Sequence, residues 1–172
     1  NNNSYGLYIW DSDYNTLSYN STNNNTYSGI ACDADSTVNS FNVIENNIAS
    51  DNGEDGIILW LSCTNNVIQG NVLNGNIQMG IALTSGANAN IIESNSISNN
   101  SSGIWIVNSN QNSISSNTLF NNANVGIYLQ SATNSILFAN ISKQNQNAGI
   151  WLDNSTSNDI YSNRIVYNRF WG

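Results

Sequence analysis

The run Gly103–Asn122 reads GIWIVNSNQNSISSNTLFNN, and its reading decides the fold. Ile104 and Ile106 follow the glycine with a period of two. Ile114 stands two residues past Asn112, Leu119 stands two past Asn117, and Asn122 closes the run. Alternation on short, β-branched runs marks strands, and polar turn formers between them mark corners. A single unit of this kind cannot bury its own apolar side, so everything depends on whether it recurs.

It recurs along the whole chain. Gly6-Leu7, Gly29-Ile30, Gly56-Ile57, Gly80-Ile81, Gly103-Ile104, Gly126-Ile127 and Gly149-Ile150 are separated by 23, 27, 24, 23, 23 and 23 residues. A fixed period in this range is the mark of a solenoid. Three columns emerge when the coils are aligned. The first is Asn15, Asn42, Asn66, Asn90, Asn112, Ser135, Asn158; the second is Asn20, Asn47, Asn71, Asn95, Asn117, Asn140, Asn163; the third is Asn25, Asn52, Asn76, Asn100, Asn122, Asn145, Asn168. Of these 21 positions only Ser135 is not asparagine, so the columns are structural. Asn tolerates left-handed backbone geometry and bonds backbone at turns. An amide stacked on its equivalent about 4.8 Å away can donate to one neighbour and accept from the other. Ladders of this kind satisfy polar corners that would otherwise cost roughly 1–3 kcal/mol each.

Apolar residues fill the intervals. Positions one and three after each glycine are apolar throughout, from Leu7 and Ile9 to Ile150 and Leu152. A further column follows the first ladder: Leu17, Ile44, Ile68, Ile92, Ile114, Leu137, Ile160. Leu73, Ile97, Leu119 and Ile165 follow the second ladder, with Thr22, Ala49 and Ser142 weakening that column. Three strands per coil, each ended by an Asn corner, predict an all-β parallel β-helix. It has about seven coils of roughly 23 residues, three parallel sheets and a length of roughly 34 Å, formed by residues 1–172 as a single domain.

The spacing Gly-Ile-x-Leu…Asn-x-Ile-x-x-Asn-x-Ile-x-x-Asn, clearest at Gly103, Ile104, Ile106, Asn112, Ile114, Asn117, Leu119 and Asn122, resembles the repeats of the NosD-like and carbohydrate-binding/sugar-hydrolase (CASH) superfamily. The resemblance covers the full chain and implies a right-handed helix. That superfamily holds polysaccharide lyases and hydrolases, periplasmic accessory proteins for copper enzymes, and many surface proteins, so fold alone does not choose a function.

Composition narrows the field. Charged residues are 8% of the chain and the net charge is −8. Lys143, Arg164 and Arg169 are its three basic residues, too few for a nucleic-acid footprint. No apolar run approaches transmembrane length, so membrane insertion is not expected. The chain has no His and one Met, which removes imidazole-based copper or zinc sites. Lyases of similar fold need a basic proton acceptor, which is also missing near the acids, and no Ser-His-Asp or Cys-His arrangement can form. Cys32 takes a core position and Cys63 a corner out of column with it, a pattern read as two buried free thiols with a disulfide left open. Seven Asn-x-Ser/Thr sequons begin at Asn2, Asn20, Asn24, Asn99, Asn100, Asn140 and Asn154. Asn20, Asn100 and Asn140 are ladder residues, leaving Asn24, Asn99 and Asn154 as glycosylation candidates on an extracellular or cell-surface protein.

The ends share one phase of the repeat: Asn2 precedes Gly6 by four residues, as Asn168 precedes Gly172. Solenoids are normally closed by atypical capping repeats, and open strand edges template further pairing. The expectation is a segment of a longer solenoid, or a subunit that stacks head to tail on copies of itself. Tyr5, Phe170 and Trp171 acting as a makeshift cap is the alternative.

Two groups of side chains can carry chemistry. On the outward side of the strand after each glycine stand Tyr8, Trp105, Tyr128 and Trp151, with Trp10 and Trp60 two residues further along their strands. These rings can stack on sugars, or they can pack against another protein or each other. Asp11, Asp13, Asp33 and Asp35 gather in the first two coils, beside a corner lengthened by about four residues (Asp33 to Phe41). They read as a solvated acidic loop. As paired carboxylates they would serve glycoside hydrolysis, and Asp33 with Asp35 would make a weak calcium site. A second acidic group, Asp51, Glu54 and Asp55, is read as a solvated corner. The sequence therefore favours a non-enzymatic architectural role without cofactor: a surface layer, sheath or filament component. The alternative is a carbohydrate-binding or polysaccharide-hydrolysing β-helix using the rings and the acids.

Overall fold

The computed structural model describes residues 3–35 and 37–169. Asn2, Phe170, Trp171 and Gly172, named above for the ends of the chain, lie outside those residues. Every strand pairing is parallel, and the coils stack in chain order as a right-handed parallel β-helix. Sheet A has seven strands: Leu7–Trp10, Ile30–Asp33, Ile57–Leu59, Met79–Thr84, Ser102–Val107, Ile127–Gln130 and Ile150–Asp153. Sheet B, also seven-stranded, runs from Thr16–Ser18 to Asp159–Tyr161. Sheet C comprises Val72–Asn74, Ser96–Ser98, Thr118–Phe120, Ile141–Lys143 and Arg164–Val166. The bridges Ser21↔Ile48↔Val72 carry it back toward the first coil. The lengthened corner of the second coil adds a small fourth pairing, Asn39–Ser40 with Cys63–Thr64.

Register follows the repeat. Ile30, Ile57, Ile81, Ile104, Ile127 and Ile150 pair in one column, and Ile44, Ile68, Ile92, Ile114 and Leu137 in another. These inward columns form one continuous core. The weak column is closed locally: buried Ser142 donates its hydroxyl to Gly149 O at 2.8 Å and accepts from Asn145 Nδ2. The repeating glycine is required by closeness of approach. A Cβ on Gly56 would stand 2.7 Å from Gly80 O and 3.0 Å from a Leu73 methyl, inside real contact distances.

The ladders bond as stacked amides should. Asn95 Oδ1 accepts from both the backbone N–H and the side-chain amide of Asn71, at 2.9 and 3.0 Å, and Asn95 Nδ2 donates onward to Asn117 Oδ1 and back to Ile68 O. Left-handed geometry falls elsewhere than expected. The ladder asparagines have ordinary φ; the residue before each one is left-handed, as at Asn46 (φ 54°), Ser94 (φ 56°), Ser116 (φ 55°) and Ala139 (φ 55°). That residue makes the corner, and the Asn behind it turns its amide inward to bond the neighbouring coil.

Both cysteines are buried and free, and desolvation is the main reason both thiols hold their protons, Cys63 up to about 12. They act as small hydrophobes.

Candidate functional site

The outer face of sheet A carries the paired column Tyr8, Ala31, Ile58, Ala82, Trp105, Tyr128, Trp151, and beside it a second in which Trp10 pairs with Asp33, and Thr84, Val107, Gln130 and Asp153 follow one another. Rings crowd both ends of the first and small or aliphatic residues hold its middle. Trp105 and Tyr128 stack at 6.2 Å with planes 5° apart, and Tyr128 meets Trp151 at 5.3 Å. At the other end Tyr5 touches Tyr8, Tyr27 and Trp60, with ring centroids 5.0, 5.4 and 6.1 Å away. Ala31, Ile58 and Ala82 are buried on this outer face beneath Tyr5, Trp60 and Met79. The six rings foreseen from outward strand positions therefore do share one sheet face. Trp10 is its most exposed member at 59%, while Trp60, Trp105 and Tyr128 are half-buried.

Between the two ring groups lies a cleft of about 220 Å³, lined chiefly by Glu54, Asp55, Trp60, Met79, Ala82 and Trp105. Larger hollows at the ends of the stack are the inner faces of terminal coils, lined by core aliphatics such as Leu7, Ile9 and Leu17. The cleft joins aromatic faces to ionisable groups. The indole N–H of Trp105 is buried there without an acceptor.

Asp55 corrects the sequence reading. It is 3% exposed rather than solvated. Its Oδ1 accepts the Met79 N–H at 2.8 Å. Burial, chiefly, with a smaller push from Glu54, raises its carboxyl to about 7, and the Met79 bond opposes the shift. It lies immediately before Gly56, where the chain enters sheet A, so its side chain is packed between coils. Asp51 is exposed and Glu54 half-exposed, as corner residues should be.

The first acidic group does not converge. Asp11 Oδ1 accepts the Asp35 N–H at 3.1 Å, and Asp13 Oδ1 accepts the Ser40 N–H and hydroxyl at 2.6 and 3.0 Å. Asp33 instead turns onto sheet A, where Oδ2 accepts the Tyr8 hydroxyl at 2.7 Å. These bonds cap the lengthened corner, which Asn39 plugs by donating to Ile9 O and Asp33 O. Among the described residues no three His, Cys, Asp or Glu are grouped to hold a metal, so the Asp33–Asp35 calcium pair finds no third carboxylate. A second tyrosine–aspartate pair, Tyr128 hydroxyl to Asp153 Oδ2 at 3.0 Å, repeats the Tyr8–Asp33 geometry further along the sheet. Sequence reasoning missed it, although both pairs share a spacing of 25 residues. Asn24, Asn99 and Asn154 are exposed, with Asn99 Nδ2 bonded to Asn74 Oδ1 at 2.6 Å and Asn154 Nδ2 to Ser131 Oγ at 3.3 Å.

Comparison with known proteins agrees with the architecture. The family described as periplasmic copper-binding protein (NosD) matches residues 36–140 and 86–172. No curated protein sequence gives a match. Among solved structures, the periplasmic alginate epimerase AlgG, in a double-mutant form, superposes with a TM-score of 0.78 at 17% identity, over 94% of this chain and 48% of that one. The A-module of mannuronan C-5 epimerase AlgE6 from Azotobacter vinelandii gives 0.75 at 18% identity, over 99% and 53%. Tailspike protein 2 of Escherichia coli O157:H7 bacteriophage CAB120 gives 0.63 at 17% identity, over 93% and 23%. The chain spans about half the length of the epimerase structures, and likeness at this identity establishes the fold.

Proposed function

The chain belongs to the NosD family, and from that premise and the cleft on sheet A we propose that it is a glycan-binding β-helix working in the periplasm or outside the cell. The observation that carries this reading is the juxtaposition of half-buried Trp60 and Trp105 with Asp55 and Glu54 in one cleft. Aromatic faces supply large apolar contact to the C–H face of a sugar, and carboxyl groups accept its hydroxyls. Similar folds in alginate epimerases and a phage tailspike support a carbohydrate-related role over the architectural one that the sequence favoured.

Copper has no part in this reading. The chain has no His, no three donor residues are grouped among the described residues, and both thiols are held protonated. Stacking through the coil ends stands as a separate proposal. Leu152 and Ile160 occupy inward columns yet are 37% and 42% exposed, so a further coil, from this or another chain, would bury them.

Electrophoresis through gels containing single polysaccharides tests the main reading. A bound glycan retards the native protein, and Trp105→Ala weakens the retardation roughly 5- to 30-fold, since ring stacking on a ligand is worth on the order of 1–2 kcal/mol. Trp10→Ala, outside the cleft, leaves it unchanged. Equal loss in both variants, or retardation indifferent to Trp105, rejects the cleft as the site.

Asp55 favours a second, catalytic reading. A buried carboxyl titrating near 7 is poised to give and take a proton at neutral pH. On this reading Asp55→Asn abolishes turnover of a bound polysaccharide while binding survives.

A further inference from the structure

We infer that the cleft selects an uncharged glycan and rejects uronate polymers, an inference that rests on the glycan-binding reading above. The solved structures of similar fold include enzymes whose names specify alginate or mannuronan, which carry one carboxylate per sugar. An anionic polymer on this face would need cations beside it. The outer face of sheet A offers none: its seven strands contain no Lys or Arg. All three basic residues belong to sheet C or follow it. Lys143 lies on the strand Ile141–Lys143 with its ammonium 5.3 Å above the Phe120 ring, Arg164 opens the strand Arg164–Val166, and Arg169 comes after that strand.

The charges that do face the cleft are acidic. Glu54 lines it, Asp55 joins it as its carboxyl ionises around pH 7, Asp33 sits beside Tyr8, and Asp153 lies at the far end beside Tyr128. Like charges brought together in a half-dry site repel far more than in water. Among the described residues no three His, Cys, Asp or Glu are grouped where a divalent ion could bridge two carboxylates. What the cleft does offer suits a neutral sugar: two indole faces, carboxyl oxygens that accept hydroxyls, and the Gln78 amide at the mouth.

The test uses a matched pair of polymers, mannuronan and the same preparation after chemical reduction of its carboxylates to primary alcohols, together with neutral β-1,4-glucan and β-1,4-mannan. Gels are run at low ionic strength with a chelator, where charge exclusion is strongest. The expected result is retardation by at least one neutral polymer and at least tenfold weaker retardation by mannuronan. The double variant Glu54→Gln with Asp55→Asn, which keeps an acceptor for the Met79 N–H, narrows that gap. Retardation by mannuronan equal to or stronger than that by every neutral polymer overturns the inference and leaves glycan binding standing. Retardation by none of the polymers overturns both. An unchanged gap in the folded double variant removes charge as the cause and overturns the inference.

Discussion

The side-chain amide of Asn112 is buried without an acceptor, and the ladder position one coil further along is occupied by Ser135. Elsewhere in the ladders an Asn Oδ1 receives the backbone N–H of the preceding coil, and at most rungs its side-chain amide as well, as Asn117 does for Asn95 at 3.0 Å in both bonds. Ser135 Oγ reaches only the Asn112 backbone N–H, at 3.2 Å. The interruption in the sequence column is thus a physical defect in the rod.

Repairing the defect should stabilise the protein. Ser135→Asn supplies the missing oxygen to a donor whose desolvation is already suffered, worth about 1 kcal/mol. In a chain of this size that raises Tm by roughly 2–4 °C. Calorimetry of the variant checks it; a lower Tm would mean that the buried site lacks room for the larger amide.

Corner geometry gives an independent prediction. Ala139 is exposed and left-handed at φ 55°, where a Cβ is strained; the equivalent corner in the third coil is Gly70, at φ 65°. Ala139→Gly should gain roughly 0.5–1 kcal/mol, because relief of strain outweighs the added freedom of the unfolded chain. Urea unfolding with an unchanged slope and a higher midpoint is the expected outcome.

Burial of Asp55 makes stability depend on pH. Its folded pKa of about 7 lies above the ordinary value of 3.8, so the native state holds its proton where the unfolded chain has lost it. The contribution is complete below pH 3.8, declines by up to about 1.4 kcal/mol per unit as pH rises toward 7, and is lost above that. Asp55→Asn removes the dependence. The variant should match the parent in Tm near pH 4 and exceed it at pH 8; identical profiles at both values would contradict the burial.

The fold was legible because each of its devices repeats. Glycine, inward aliphatics and ladder amides recur with the coil, and the register of sheet A pairs those same residues. The outward rings were legible for the same reason, since two-residue alternation turns Trp105 away from Ile104 and Ile106, and Tyr128 away from Ile127 and Leu129. Asp55 escaped because it was grouped with its chain neighbours Asp51 and Glu54. Its column held the signal: Ser28, Ser102, Val125 and Ala148, at the same place before their glycines, are all buried. A carboxyl in a column of small and apolar residues is a buried carboxyl. Ladder Asn and left-handed Asn are adjacent at Asn46-Asn47, Asn99-Asn100 and Asn121-Asn122, so composition does not separate the residue that makes the corner from the one that bonds the next coil; the backbone φ does.

The most direct test of the glycan-binding account is to follow the tryptophan indole N–H resonances of the ¹⁵N-labelled protein, 18.7 kDa, during titration with an oligosaccharide of whichever polysaccharide retards it. Deletion of single tryptophans assigns the signals. The account predicts that the resonances of Trp60 and Trp105 move together and saturate with one affinity, while that of Trp10 stays in place. Movement confined to Trp10 or Trp151, with Trp60 and Trp105 unmoved at saturation, would contradict it.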